Sequence, residues 1–212
     1  MRWLAMQINL QCTAPPTRYS QVGMQSGKNI CVYCGSSEGN RPEYRAAAVE
    51  LGHAMAQVGV GLVYGGARVG LMGAIADAVL AAGGHAVGII PKHLMGREVA
   101  HRGLTELHVV ETMHERKHQM AALADAFIAL PGGYGTLDEL CEVLGWAQLG
   151  LHAKPIVLLN PAGYYDPLLA MLDRAVKDGF LKPQNRQHAI QAKTIDATMQ
   201  AIQSAWGEVS PH

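Results

Sequence analysis

Short apolar runs alternate with longer helical patterns along most of the chain. Six runs of strand length, rich in β-branched and apolar residues, are each followed by a polar or glycine-bearing turn. They lie at residues 29–34, 60–65, 85–91, 107–111, 126–131 and 155–160. Each is bounded by turn residues, which is typical of a β-strand.

Between these runs, apolar residues recur at three- and four-residue steps. This pattern predicts helices at about residues 41–58, 71–82, 113–125, 136–149 and 165–178. The first is the clearest, because Tyr44, Leu51, Met55 and Val58 fall on one helical face. Strands that alternate with helices predict a parallel sheet covered on both faces. We therefore predict a Rossmann-like α/β sandwich, a single domain spanning residues 28–212, after a loosely held extension at residues 1–27.

Composition adds few constraints beyond size and charge. With 212 residues, 49% of them hydrophobic, the chain is long enough for one substantial core. Positive and negative charges balance, so the long-range attraction that draws basic proteins to nucleic acid or anionic membranes is absent. No stretch reaches the length of a membrane span or resembles a signal peptide. We expect a soluble, cytoplasmic protein with no nucleic-acid or membrane partner.

Two of the four cysteines, Cys31 and Cys34, lie close together in a predicted strand. Their offset of three residues places them on opposite faces of the sheet, which argues against a local disulfide or a shared metal. Reduced thiols are expected.

Three predicted strands end in glycine-rich turns: CGSSEGN at 34–40, YGGARVGLMG at 64–73 and PGGYGT at 131–136. The carboxyl ends of parallel strands meet at one edge of a sheet, so these turns should form one site. The third turn opens a helix, whose free N–H groups attract phosphate. We expect Gly35, Ser36, Gly65 and Gly66 to contact a phosphate-bearing ligand there.

A dinucleotide cofactor is not indicated. The third turn lacks the last glycine of G-x-G-x-x-G, and the strands after the second and third turns end without an acid for a ribose diol. No cofactor is expected.

The stretch HERKH, from His114 to His118, matches the zinc-protease pattern H-E-x-x-H on a predicted helix. No third-ligand continuation follows it, and a metalloprotease would leave the three glycine turns unexplained. We predict no metal site and keep a zinc hydrolase as a remote alternative.

Two acids, Asp138 and Glu139, follow the third turn although that turn is shaped for an anion. Thr136 to Glu139 fits the T-x-x-E capping box, in which Glu139 would only satisfy a helix N-terminus. The alternative is catalysis. A ribose 5-phosphate ester that loses its base is negative at the phosphate and develops positive charge at the sugar, which a carboxylate stabilises.

The adjacent cations Arg116 and Lys117 lie near the start of a predicted helix, where the helix dipole disfavours positive charge. They either form a solvated helix face with Glu115 or meet an anionic ligand at the strand ends.

These motifs together resemble a known family. MHERK at 113–117 followed by PGGYGTLDE at 131–139 is similar to the signature of the LONELY GUY (LOG) family of cytokinin riboside 5′-monophosphate phosphoribohydrolases, also labelled possible lysine decarboxylases. Further matches are ICVYCGSSEGN, YGGARVGLMG, GIIPKHLMGRE and WAQLGLHAKPIVLLN, so the resemblance runs from about Asn29 to at least Phe180. Lysine decarboxylation gains no support, because no lysine lies in an evident pyridoxal-phosphate setting.

The resemblance implies a homodimer or larger homo-oligomer that hydrolyses adenosine-type 5′-monophosphates, either AMP or N6-modified cytokinin nucleotides, to free base and ribose 5-phosphate. By motif position, Arg116 and Glu139 would be the catalytic pair. Other residues that would contact the nucleotide are Glu98, Met113, Lys117, Gly132, Gly133, Tyr134, Gly135, Thr136, Leu137 and Asp138. A LOG-like nucleotide sensor or carrier without turnover is the alternative.

Overall fold

The computed structural model describes residues 27–95 and 99–207, and its elements follow the predicted alternation. The strands within these residues are β1 Asn29–Tyr33, β2 Gly61–Tyr64, β3 Ala86–Pro91, β4 Glu106–Val110, β5 Ala126–Ala129, β6 Ile156–Leu159 and β7 Ala189–Ala192. All neighbouring strands pair in parallel, in the order β4-β3-β2-β1-β5-β6-β7. The predicted Rossmann-like α/β fold is confirmed.

The five predicted helices are all present, and each begins and ends within two residues of its predicted bounds. The helices are α1 Pro42–Gln57, α2 Gly70–Ala81, α3 Lys92–Met95, α4 Met113–Leu123, α5 Tyr134–Gln148, α6 Asp166–Lys177, α7 Pro183–Arg186 and α8 Ile195–Gly207, with a short 3-10 helix at Pro161–Gly163. Strand β7 and helix α8 were not predicted. In the part of the chain that the structure describes, no helix is both long and apolar enough to cross a bilayer.

The helices cover the sheet in two layers, each with its own apolar core. Helices α1, α2 and α8 pack on one face through residues such as Leu51, Ile75 and Ile202. Helices α4, α5 and α6 pack on the other face through Met120, Leu140 and Leu169. The inner strands β1, β2, β3, β5 and β6 are therefore buried on both sides, which explains why their sequences are mostly apolar, whereas the edge strands β4 and β7 are partly exposed.

Cys31 and Cys34 lie in opposite cores, as their spacing predicts. Both are free thiols, and burial is the main cause that raises the pKa of each above its ordinary value. Neither is a reactive thiolate.

The strand order determines where a ligand can enter. The chain progresses outward from β1 in both directions, to β2, β3 and β4 on one side and to β5, β6 and β7 on the other. The connections on the two sides of this switch point diverge, which leaves a crevice beyond the carboxyl ends of β1 and β5. The first and third glycine turns leave the sheet at that crevice.

Three expectations fall on residues outside the described ranges. They are the extension at 1–27, of which the structure describes residue 27 alone, the carboxyl-terminal boundary of the domain at 212, and the nucleotide contact from Glu98.

Candidate active site

The three glycine turns come together at the crevice between β1 and β5. The backbone N–H of Gly35 donates to the carbonyl of Pro131 at 3.0 Å, which joins the first turn to the third. The N–H of Leu71 donates to the carbonyl of Gly35 at 3.1 Å, which joins the second turn to the first. The three turns therefore meet at one edge of the sheet, and they line a cavity of about 200 Å³.

Two of the glycines are required by close packing between these turns. A Cβ on Gly132 would lie 2.1 Å from Oγ1 of Thr136 and 2.8 Å from the backbone nitrogen of Gly35. Gly70 has a φ of +59°, and a Cβ there would lie 2.3 Å from the carbonyl carbon of Ser36. A larger residue at either position would push the turns apart.

Helix α5 begins at the mouth of the cavity. Its N-cap is Gly133, and no side chain caps its first N–H groups. Gly133, Tyr134, Gly135 and Thr136 line the cavity, so the open N-terminus of the helix faces it. The free amides and the positive end of the helix dipole make this surface suited to an anion.

The capping-box interpretation of Glu139 is wrong. Because α5 starts at Tyr134 rather than Thr136, Thr136 is already inside the helix and Glu139 lies in its second turn. The described chain has a capping box elsewhere: Thr112 caps α4 by accepting from the N–H of Glu115 at 3.1 Å, and the Glu115 carboxylate accepts from the N–H of Thr112. This box fixes the start of the helix that carries Arg116.

Arg116 and Glu139 form a buried ion pair at the floor of the cavity. Nη1 of Arg116 donates to Oε1 of Glu139 at 2.6 Å, and its Nε donates to the carbonyl of Ile89 at the end of β3, at 3.1 Å. The two residues are only 9% and 7% exposed. The guanidinium is thus fixed by two partners, and one face of each group remains open to the cavity.

Burial controls the protonation of this pair. Desolvation raises the pKa of Glu139 above its ordinary value, and the positive charge of Arg116 opposes that shift without cancelling it. The neighbouring Tyr33 and Cys34 have pKa values raised by burial and by the charge of Glu139, so both are neutral. A carboxylate with a raised pKa beside a fixed cation is typical of a catalytic group.

Lys117 lies beside the pair and is itself paired with two acids of α5. Its Nζ lies 3.0 Å from Oδ2 of Asp138 and 3.2 Å from Oε1 of Glu142. Burial alone would lower the pKa of Lys117, but its hydrogen bonds to the two carboxylates raise it overall. The lysine therefore balances the acids that follow the third turn.

The cavity brings together most of the residues predicted from sequence. Gly35, Ser36, Gly65, Arg116, Glu139 and residues 133–136 line it. Gly66, Met113, Lys117, Gly132, Leu137 and Asp138 lie in the adjoining turns and helices but do not line it. Three further lining residues, Val32, Cys34 and Met72, were not predicted to line the site. Cys34 and Met72 lie within the predicted glycine turns, and Val32 lies in β1, two residues before the first turn.

The two histidines of HERKH face away from this cavity. His114 and His118 line a separate, largely apolar pocket between α4 and α5, together with Trp146 and His152. Among residues 27–95 and 99–207, no three His, Cys, Asp or Glu side chains cluster in a way that could hold a metal ion.

The sheet order, the open N-terminus of α5 and the buried Arg116–Glu139 pair define a Rossmann-like α/β protein with a cleft suited to an anionic ligand. A family model described as "Possible lysine decarboxylase" matches residues 72–202. The chain belongs to this family, which is the LONELY GUY family that the motifs resemble.

Curated relatives in plants carry the same assignment. A protein of Oryza sativa subsp. japonica named probable cytokinin riboside 5′-monophosphate phosphoribohydrolase LOGL9 is 56% identical over 165 residues, covering 78% of this chain and 73% of its own length. The enzyme LOG of the same species is 48% identical over 194 residues, covering 87% and 80%. LOG7 of Arabidopsis thaliana, also named a cytokinin riboside 5′-monophosphate phosphoribohydrolase, is 53% identical over 165 residues, covering 78% and 76%.

Solved structures share the fold at lower identity. The Moco carrier protein of Chlamydomonas reinhardtii superposes with a TM-score of 0.65 at 20% identity, covering 86% of this chain and 99% of that protein. The X-ray structure of a structural genomics target gives a TM-score of 0.62 at 28% identity, covering 84% and 99%. At 20% identity the likeness to the carrier protein shows the fold alone.

Proposed function

We propose that the protein hydrolyses the N-glycosidic bond of adenosine-type 5′-monophosphates, releasing the free base and ribose 5-phosphate. The substrate class follows from the names of relatives that are 48–56% identical to this chain. The observation that carries the reaction is the buried Arg116–Glu139 pair at 2.6 Å, directly below an open helix N-terminus. The site thus offers separate surfaces for the two ends of a nucleotide monophosphate.

In this proposal the phosphate binds to the first amides of α5. Residues 133–136 present N–H groups that no side chain occupies, and the helix dipole adds positive potential. Anchoring the phosphate there positions the ribose over the floor of the cavity, where Glu139 lies.

Glu139 acts on the sugar. As the C1′–N bond breaks, positive charge develops at C1′ and O4′, and the carboxylate stabilises that charge. It also orients a water molecule, whose oxygen forms the new bond to C1′ and whose proton is lost. The electron pair of the broken bond leaves with the base, which takes up a proton. Arg116 holds the carboxylate in place and contributes a fixed donor toward the nucleotide.

Lys117 has an indirect role in this proposal. Its ammonium is engaged by Asp138 and Glu142, so it does not extend into the cavity. We assign it the role of neutralising those two carboxylates, which would otherwise repel the substrate phosphate close by.

The proposal includes a cytoplasmic homodimer or larger homo-oligomer. Support comes from apolar side chains exposed at and after the end of α5, where Leu149 is 71% and Leu151 is 69% exposed. Leu151 lines the apolar pocket between α4 and α5, a surface of the kind that is covered in an assembly. Sedimentation of the purified chain tests this part: a monomer at micromolar concentration would contradict it.

The function is tested by supplying AMP, N6-prenyl AMP, adenosine and ATP at equal concentration and separating the products by chromatography. We expect free base and ribose 5-phosphate from a monophosphate. The nucleoside should react roughly a hundredfold more slowly, because one or two charge-assisted contacts of about 1.5 to 3 kcal/mol each are lost. The triphosphate should also be poor. Tight binding of a monophosphate without any release of base would instead identify a nucleotide sensor or carrier.

A further inference from the structure

The segment that connects β5 to α5 is anchored by donors from outside it. Three of its four residues have carbonyl oxygens that accept hydrogen bonds from donors outside the segment. The pairs are Leu130 with the hydroxyl of Tyr165 (2.7 Å), Pro131 with the backbone N–H of Gly35 (3.0 Å), and Gly132 with the hydroxyl of Tyr164. Two of these donors come from adjacent tyrosines between the 3-10 helix and α6.

Fixing a carbonyl also fixes the next amide. In a trans peptide the C=O of one residue and the N–H of the next point in opposite directions. The bond from Tyr164 to the carbonyl of Gly132 therefore directs the N–H of Gly133 to the opposite side. Gly133 lines the cavity at the N-cap of α5, so this amide is among those available to an anion.

The tyrosines are themselves held firmly. Tyr165 is 1% exposed, and its backbone N–H donates to Oδ1 of Asn160 at 2.6 Å. Asn160 in turn donates to Asp166 at 2.7 Å, which fixes the loop after β6. The ring of Tyr164 packs edge-on against Tyr165, with centroids 5.1 Å apart, and against Tyr44 of α1, with centroids 5.7 Å apart.

We propose that Tyr164 and Tyr165 are positioning residues that hold the turn at residues 130–133 with its amides directed at the substrate phosphate. Neither tyrosine lines the cavity, so both act from behind the turn. The inference rests on the proposed function, in which this turn binds the 5′-phosphate. It adds a specificity determinant for the phosphate that lies outside the glycine motif.

The protonation of Tyr165 is compatible with this role. Burial raises the pKa of its hydroxyl above the ordinary value, so the group is protonated at neutral pH and can donate a hydrogen bond.

The test uses Tyr164→Phe and Tyr165→Phe, which remove only the donor, with Tyr44→Phe as the matched control. The hydroxyl of Tyr44 makes no hydrogen bond within residues 27–95 and 99–207, while its ring packs in the same stack. Three quantities are measured for each variant: the affinity for ribose 5-phosphate by calorimetry, kcat and KM for the monophosphate and for the nucleoside, and the melting temperature.

Tyr164→Phe loses the donor to the carbonyl that sets the direction of the Gly133 amide, so it should weaken ribose 5-phosphate binding about tenfold, with a matching rise in KM for the monophosphate. Tyr165→Phe should weaken binding less, because Leu130 precedes Pro131, which has no N–H, and Tyr165 therefore holds only the start of the turn. Cleavage of the nucleoside should stay within about twofold, because it has no phosphate to position. Tyr44→Phe should match the wild type in all three measurements. A general packing defect would lower kcat/KM equally for the monophosphate and the nucleoside, whereas loss of positioning lowers it for the monophosphate alone.

Two outcomes would overturn the inference, and they are distinguishable. If the wild type cleaves nucleoside and monophosphate equally, the proposed phosphate site fails and this inference fails with it. If the wild type prefers the monophosphate and both Phe variants keep that preference within twofold, the positioning role alone is wrong. Should Tyr165→Phe fail to fold, Tyr164→Phe decides the matter, because Tyr164 is an exposed residue whose loss does not empty the core.

Discussion

The guanidinium of Arg116 occupies the space in which a side chain on Gly65 would begin. A Cβ at Gly65 would lie 1.9 Å from Nη2 of Arg116 and 3.2 Å from the sulfur of Met72. The second glycine turn is thus adapted to the arginine as well as to a ligand. Its glycine gives Arg116 room to reach Glu139 and Ile89 together.

Gly65→Ala should therefore lower activity by displacing Arg116. The arginine is buried and engaged by two partners, so it cannot move aside without breaking one of them. We expect kcat/KM to fall at least about a hundredfold and stability to fall by roughly 1–3 kcal/mol, measured by steady-state kinetics and denaturant unfolding. The control is Gly145→Ala on the exposed side of α5, where a Cβ meets nothing within 4 Å. That change should leave activity intact and stabilise the helix by up to about 1 kcal/mol. Normal activity in Gly65→Ala would contradict a fixed role for the guanidinium.

Glu139→Gln separates catalysis from structure. Glutamine keeps an acceptor for Arg116 but removes the charge that stabilises the developing positive sugar, so kcat should fall by about three orders of magnitude or more. Because burial outweighs the pairing with Arg116 in the pKa of Glu139, replacing the carboxylate by a neutral amide should change the melting temperature little. The same substitution at Glu142, in the same helix and outside the cavity, is the control and should change kcat less than about threefold. Near-normal turnover in folded Glu139→Gln would remove Glu139 from the mechanism.

The protonation of Glu139 predicts a specific pH dependence. Burial raises its pKa above the ordinary 4.5, and Arg116 offsets this only in part. The ionised carboxylate is the active form, so kcat/KM should fall as the pH is lowered. The midpoint of that fall, read from a pH–rate profile, should lie above the pKa of an ordinary glutamate.

Ionisation of Glu139 should increase activity but decrease the stability of the folded protein. A raised pKa means that the folded state favours the protonated group, so its contribution is present below the unfolded value and is lost as the pH rises through the folded value. The unfolding free energy of the wild type should therefore decrease relative to Glu139→Gln as the pH rises above about 4.5. A difference that stays constant or grows over this range would show that the pair with Arg116 outweighs burial.

Sequence patterns predicted the strands and helices well and their relationships less well. Periodicity located eleven of the elements, six strands and five helices, because each is bounded by glycine, proline or a polar turn. It missed β7, whose short AIQA run carries a glutamine, and with it the packing role of α8. The pattern T-x-x-E occurs at both Thr112 and Thr136, and only the structure shows that the first is a cap. Local sequence cannot separate them, because the start of α5 is set by the backbone at Gly133.

The site illustrates the same limit. The glycine turns could be assigned to one edge of the sheet from topology alone, but the pairing of Arg116 with Glu139 came from the resemblance to a family. These residues lie 23 positions apart on different helices, and nothing in their spacing predicts a contact. The tyrosines behind the third turn gave no signal at all, since a donor to a backbone carbonyl leaves no sequence motif.

Activity should not depend on a metal, because water activation is assigned to a carboxylate. Dialysis against a strong chelator should leave kcat unchanged, and the double substitution His114→Ala with His118→Ala should retain most of it. Both histidines line the pocket between α4 and α5, separate from the cavity that contains Glu139. Stoichiometric zinc in the purified protein, with activity lost on chelation and restored by zinc, would support the metallohydrolase alternative.

Lys117 either neutralises the two neighbouring carboxylates or contacts the phosphate directly. The two roles predict different values of KM when those carboxylates are removed together with the lysine. Lys117→Gln leaves Asp138 and Glu142 uncompensated near the first turn of α5. Their repulsion should raise KM for the monophosphate severalfold, with less effect on kcat and little on the nucleoside. The increase should shrink at about 1 M salt, where screening extends to roughly 3 Å.

The deciding variant combines Lys117→Gln with Asp138→Asn and Glu142→Gln. If the lysine acts by balancing charge, removing both carboxylates with it restores KM for the monophosphate to within about twofold of the wild type. If Lys117 instead contacts the phosphate, the triple variant stays as poor as Lys117→Gln, because the contact is still missing. The same comparison explains why a turn shaped for an anion tolerates two acids beside it: Glu139 is paired with Arg116, and Asp138 is balanced by Lys117.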